Sequence, residues 1–123
     1  MPVPLLKQGD LLIASIQAAL TDAELGQLQD ELMRQVRAVR ARGIVIDVTS
    51  LDVMDSFAVR TIRSTAYMLR LRGADTVIVG LQPDVAFAMV QLGLHLEGVE
   101  TALDLEEGLA SMSRRRKGDG RHG

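Results

Sequence analysis

The sequence predicts a single α/β domain: a mixed, mostly parallel sheet of about four to five strands with about four helices packed against it. Three observations lead there. Short runs of Val, Ile and Leu alternate with longer segments whose apolar residues recur every three or four positions. Glycine or proline punctuates most of the junctions between those segments. The length, 123 residues, is that of one ordinary domain, and no internal repeat divides it.

Taken in order, Val3 to Lys7 and Leu11 to Ile16 flank a Gly9-Asp10 turn signal and predict a hairpin at the start of the sheet. Thr21 and Glu24 have the spacing of a capping box, with Leu20 placed as its hydrophobic staple. Leu25, Leu28, Leu32, Val36 and Val39 then form one helical stripe, acidic residues leading and arginines trailing as the helix dipole favours, with Gly43 as the stop. Ile44 to Val48 is a β-branched, almost wholly apolar run, the pattern of a central strand covered on both faces. Val59, Ile62, Ala66 and Leu69 line a second helix closed by Gly73, and Thr76 to Val79 make another buried strand ended by Gly80. Pro83 suits the first turn of a third helix ending at Gly93. Val99 to Ala102 predicts a short edge strand. Asp104 and Glu107 form a further cap-like pair opening a last helix through Leu105, Leu109 and Met112.

Hydrophobic content of 47% and a charged fraction of 24% are ordinary for a globular protein. Aromatics make up 2%, so the core is aliphatic, and the stacking platforms of single-strand nucleic-acid binders are not suggested. There is no Cys and there are two His, which removes thiolate and His-rich metal sites, and no cofactor is implied. No apolar run approaches the roughly 20 residues of a membrane span. The N-terminus lacks the pattern of a signal peptide, so a cytoplasmic protein with no membrane or nucleic-acid partner is expected. The net charge of -2 is unevenly placed: residues 114–123 carry +4 among interleaved glycines. The expected division is a domain over 1–112 and a flexible basic tail over 113–123; a basic tail can touch nucleic acid or an acidic partner, but the simpler account is a solvated end.

Catalytic signatures are missing: no nucleophile elbow, no phosphate-binding loop and no dinucleotide glycine pattern occurs. His95 lies far in sequence from any nucleophile and reads as a surface residue. Asp47, Asp52 and Asp55 cluster around one loop; they could hold Mg²⁺, but the simpler account is that one ends a strand while the others cap or solvate the loop. That loop, Thr49-Ser50-Leu51-Asp52-Val53-Met54-Asp55, follows the carboxyl end of a strand, where open α/β sheets place their binding sites. Ser56 falls at the start of the next helix, and either it or Asp55 would be the N-cap. A hydroxyl there is also open to phosphorylation, since the helix dipole tolerates the added charge of about -1.5 to -2. A partner docking through Val53, Met54 or Phe57 would then be repelled by the phosphate beside Asp52 and Asp55.

The strand Ile44-Val45-Ile46-Asp47-Val48, the loop after it and Asp55-Ser56 at a helix start resemble the STAS domain signature. The similarity runs from about Val3 to Met112 in element order. Gly80-Leu81-Gln82-Pro83-Asp84-Val85-Ala86 followed by Leu92-Gly93-Leu94 resembles the family's next strand-to-helix passage, and Leu96 to Ala102 is similar to the stressosome branch. Many sigma-antagonist members have a small residue and a Gly after the acceptor serine; here Phe57 and Ala58 follow. Asp55-Ser56-Phe57, with no sensor domain fused to it, is similar to the small serine-bearing scaffold subunit of the stressosome. That resemblance implies a non-catalytic scaffold whose phosphoacceptor is Ser56. Its partners would be a switch serine kinase of the histidine-kinase-like ATPase superfamily, a larger sensor-bearing STAS paralogue and a reset phosphatase. It would form a dimer and a large hetero-oligomeric assembly. The partner-binding residues would be Thr49, Ser50, Asp52, Val53, Met54, Asp55 and Phe57. The alternatives are a free anti-sigma-factor antagonist binding an anti-sigma kinase, and a small-ligand or nucleotide sensor with the loop after Ile46 as its pocket floor.

Overall fold

The computed structural model describes residues 3–122, with side chains as far as Arg115. The element order is the expected one, β-β-α-β-α-β-α-β-α. Strands β1 (Leu5–Gln8) and β2 (Leu11–Ser15) pair antiparallel across Gly9-Asp10. Gly9 takes φ 62, the left-handed turn conformation that glycine adopts without steric cost. Strands β3 (Gly43–Asp47), β4 (Asp75–Val79) and β5 (Glu100–Ala102) extend the sheet in parallel, in the order β1-β2-β3-β4-β5. Val45 stands in register between Ile13 and Val77.

Helix α1 (Asp22–Val39) opens on the predicted capping box, with the Thr21 hydroxyl accepting from the Glu24 N–H and the Glu24 carboxylate accepting from the Thr21 N–H. Its end differs from the sequence reading. Arg40, at φ 53, makes the left-handed cap, while Gly43 is the buried first residue of β3. A Cβ at Gly43 would meet Leu11 Cδ2 at 2.7 Å and Met112 Sδ at 3.0 Å, so sheet packing rather than helix termination requires the glycine.

Helices α2 (Ser56–Leu71) and α3 (Pro83–Gln91) follow, Pro83 taking the first-turn position. Helix α4 (Leu105–His122) begins where the Glu107 N–H donates to Asp104 Oδ1 at 2.9 Å. The backbone stays helical past the Met112 boundary expected from the sequence. Arg115 ties that stretch to the sheet, facing Asp75 Oδ2 and Glu100 Oε2, each at 3.5 Å. The side chains of Arg116, Lys117, Asp119 and Arg121, most of the expected basic tail, lie outside the described residues.

Because side chains alternate along a strand, the sheet has two covered faces. Leu12, Ala14, Ile44, Ile46 and Ile78 pack under α1, α2 and α3 through Leu32, Val36, Val59, Ile62, Leu69, Val85 and Met89. Leu11, Ile13, Val45, Val77 and Val79 face Met112, Leu105 and Leu109 of α4. Leu32, Ile44, Ile46, Leu69 and Ile78 are almost wholly removed from solvent, each contributing about 1.5–3 kcal/mol of transfer free energy. This rigid platform ends in the loops after β3 and β4.

Candidate functional site

Asp47, the last residue of β3, starts the candidate loop. Its Oδ1 accepts from the Thr49 N–H at 2.9 Å and from the Thr49 hydroxyl at 2.5 Å, an Asx-type turn that bends the chain off the strand. Gln82, the N-cap residue of α3, donates from Nε2 to the Thr49 carbonyl at 2.7 Å. The loops after β3 and β4 are thereby stapled together at the carboxyl ends of adjacent parallel strands. That side chain was not singled out from the sequence, where nothing links positions 33 residues apart.

Leu51 and Met54 anchor the loop from below, each 6% exposed and part of the core. Met54 therefore departs from the expectation that grouped it with Val53 and Phe57 as a contact residue. The chain turns its thioether inward to pack, and Val53 (66% exposed) and Phe57 (41%) carry the apolar surface. Thr49, Ser50, Asp52 and Asp55 are exposed around them.

The choice between Asp55 and Ser56 as N-cap is resolved in favour of Asp55. Its backbone is extended (φ -78, ψ 173) and its Oδ1 accepts from the Ala58 N–H at 2.8 Å, the geometry that satisfies an otherwise orphaned donor of the first turn. Ser56 is then the first residue of α2, half-buried. Among the described residues its hydroxyl makes no hydrogen bond. The hydroxyl thus stands at the positive end of a helix, where added negative charge is tolerated.

The carboxylates at this end are structurally committed in part, Asp47 to the turn and Asp55 to the cap. Among the described residues no group of His or carboxylate side chains is arranged to hold a metal ion. A hollow lined in part by Ile16, Leu20, Leu25, Val53, Met54, Asp55 and Ala58 lies at the start of α2, with about 60 Å³ of space. Ligand sites commonly offer roughly 300–1,000 Å³, so this hollow fits one apolar side chain rather than a nucleotide. His95 is exposed in the segment after α3, and its backbone carbonyl accepts from Arg63 Nη1 at 2.9 Å. No described helix is long and apolar enough to cross a membrane.

Comparison with known proteins bears on this geometry. A family model described as the STAS domain matches residues 3–108. A Ser-to-Glu variant of RsbS from Moorella thermoacetica superposes with a TM-score of 0.81 at 32% identity, covering 94% of this chain and 97% of that one. A chain from a structure of the stressosome, described as a signal integration and transduction hub, gives a TM-score of 0.75 at 31% identity over 92% of this chain and 98% of its own. Among curated proteins, the RsbT co-antagonist protein RsbRA of Bacillus subtilis strain 168 is 29% identical over 83 residues, 68% of this chain. The chain spans only 30% of the length of that relative.

Proposed function

The chain belongs to the STAS domain family, with the fold of the anti-sigma-factor antagonists and a close likeness to RsbS, and on that premise we propose that it is a non-catalytic stressosome scaffold subunit. In the unphosphorylated state it binds and sequesters a switch serine kinase of the histidine-kinase-like ATPase superfamily. Phosphorylation of Ser56 releases that kinase into a stress-response pathway. A larger sensor-bearing STAS paralogue co-assembles with it, and a phosphatase resets it.

The observation that carries the reading is the division of labour at the start of α2: Asp55 caps the helix, and the Ser56 hydroxyl is left unengaged. Phosphoryl transfer forms the bond from Ser56 Oγ to the γ-phosphorus of ATP and breaks the bond from that phosphorus to the bridging oxygen. ADP departs, and the hydroxyl proton passes to the kinase's base. Ser56 is the substrate of this chemistry and not its agent, since among the described residues no base hydrogen-bonds its hydroxyl to activate it as a nucleophile. The fold tolerates the product because the phosphate sits at a helix N-terminus. The partner does not, because Asp52, Asp55 and the phosphate converge on the surface around Val53 and Phe57.

The test uses Ser56→Ala and Ser56→Asp with the switch kinase and the longer STAS paralogue from the same genome. Ser56→Ala is expected to bind the kinase and not release it with ATP, and Ser56→Asp to bind it more weakly, only partly because Asp carries a single charge. If both bind and release like the unaltered protein, or if the chain stays monomeric beside the paralogue in mass measurements, the reading is wrong.

A further inference from the structure

The face of α2 that begins at Ser56 continues through Arg60, Arg63 and Tyr67, since residues three and four apart lie above one another on a helix. The two arginines differ. Arg63 is held by its hydrogen bond to the His95 carbonyl. Arg60 is exposed and, among the described residues, makes neither a hydrogen bond nor an ion pair. It lies along an open groove between α1 and α2, beside Phe57 and Met68 of α2 and Gly26 and Gln29 of α1.

A phosphoryl group on Ser56 enters an acidic neighbourhood, with Asp52 and Asp55 both exposed nearby. The helix N-terminus offsets part of that charge, and the nearest uncommitted cation along the helix is Arg60, one turn and about 6 Å of rise away. The order is also the favourable one, with the anion towards the N-terminus and the cation towards the C-terminus. We propose that phosphorylated Ser56 is held by the Arg60 guanidinium within the same helix, and that modification thereby withdraws Arg60 from the α1–α2 groove. The switch then has two parts. It adds negative charge at the loop, and it removes the cation that the groove offers a partner beside Phe57 and Met68. A guanidinium matches phosphate oxygens with paired hydrogen bonds, which a lysine in its place would not reproduce.

This inference rests on Ser56 being the phosphoacceptor, so its test installs phosphoserine at position 56 during translation and needs no kinase. The phosphate is titrated by ³¹P NMR in the full chain, in Arg60→Gln and in Arg63→Gln. The charged groups nearest it along the chain are Asp52 and Asp55 of the loop and Arg60 and Arg63 of α2; His95, whose carbonyl holds Arg63, follows α3, and Gln29 of α1 lines the same groove as Arg60. The phosphate of the unaltered chain is expected to titrate at least about 0.2 pH units lower than that of Arg60→Gln, the size of an exposed pair at this spacing. High salt should narrow the difference, and Arg63→Gln should match the unaltered chain. Equal midpoints with and without Arg60, or a shift produced by Arg63→Gln instead, would overturn the proposal. Either result leaves the phosphoacceptor reading to its own binding test.

Discussion

Gly80 packs so closely against Thr49 that a Cβ at position 80 would stand 1.9 Å from the Thr49 hydroxyl oxygen and 3.0 Å from its Cα. Gly80 is also at φ 77, in the left-handed region. The glycine that ends β4 is therefore the seat of the loop that ends β3. With the Gln82 hydrogen bond, it sets where the chain turns toward Asp55 and Ser56. Gly80→Ala should destabilise the domain by about 1–3 kcal/mol from the backbone conformation alone, and by more because Thr49 must move. Urea denaturation measures this; a loss within about 0.5 kcal/mol, the range of neutral surface changes, would mean that the two loops are not coupled as described.

What the sequence revealed, and what it hid, divides by distance along the chain. The Thr21–Glu24 box was legible because capping is local, and both of its hydrogen bonds form. The alternation of buried runs with helical stripes was legible because periodicity tracks burial, and the order of strands and helices follows from it. Gly43 misled because a glycine after a helical stripe satisfies two demands equally well, and only the neighbouring Leu11 and Met112 show that packing is the operative one. Val53 and Met54 were indistinguishable as adjacent apolar loop residues; which of them turns inward is decided by the core beneath. Arg60 carries no signal of its own until the spacing to Ser56 is set beside the commitment of Arg63 to His95.

Thr76 presents a case where the fold tolerates a local cost. Its hydroxyl is buried in β4, the residue being 4% exposed, and among the described residues Oγ1 has no hydrogen-bond partner. Burying an unsatisfied hydroxyl is unfavourable by about 1–3 kcal/mol. Valine has nearly the same shape and the same preference for a strand. Thr76→Val should raise stability by roughly 0.5–2 kcal/mol, with the denaturant midpoint rising at an unchanged slope. A loss of stability would show that the hydroxyl has a partner, such as a bound water.

The acid sensitivity of the domain should begin in α1. The Thr21 backbone N–H, hydrogen-bonded to Glu24, holds that carboxyl below the ordinary value of 4.5. Gln35, with Arg34 beside it, does the same for Glu31. A carboxyl depressed in the folded state binds a proton more readily when unfolded. Its stabilising contribution is thus complete above the unfolded value and is lost as pH falls through the folded one. Stability should accordingly fall as pH drops below about 4.5. Glu24→Gln keeps an acceptor for the Thr21 N–H, as capping boxes allow, but cannot titrate. Urea midpoints measured from pH 7 to pH 3 should therefore decline less steeply in Glu24→Gln than in the unaltered chain. Parallel declines would show that the capping carboxylate contributes nothing to the pH dependence, and that acid unfolding starts at another carboxyl.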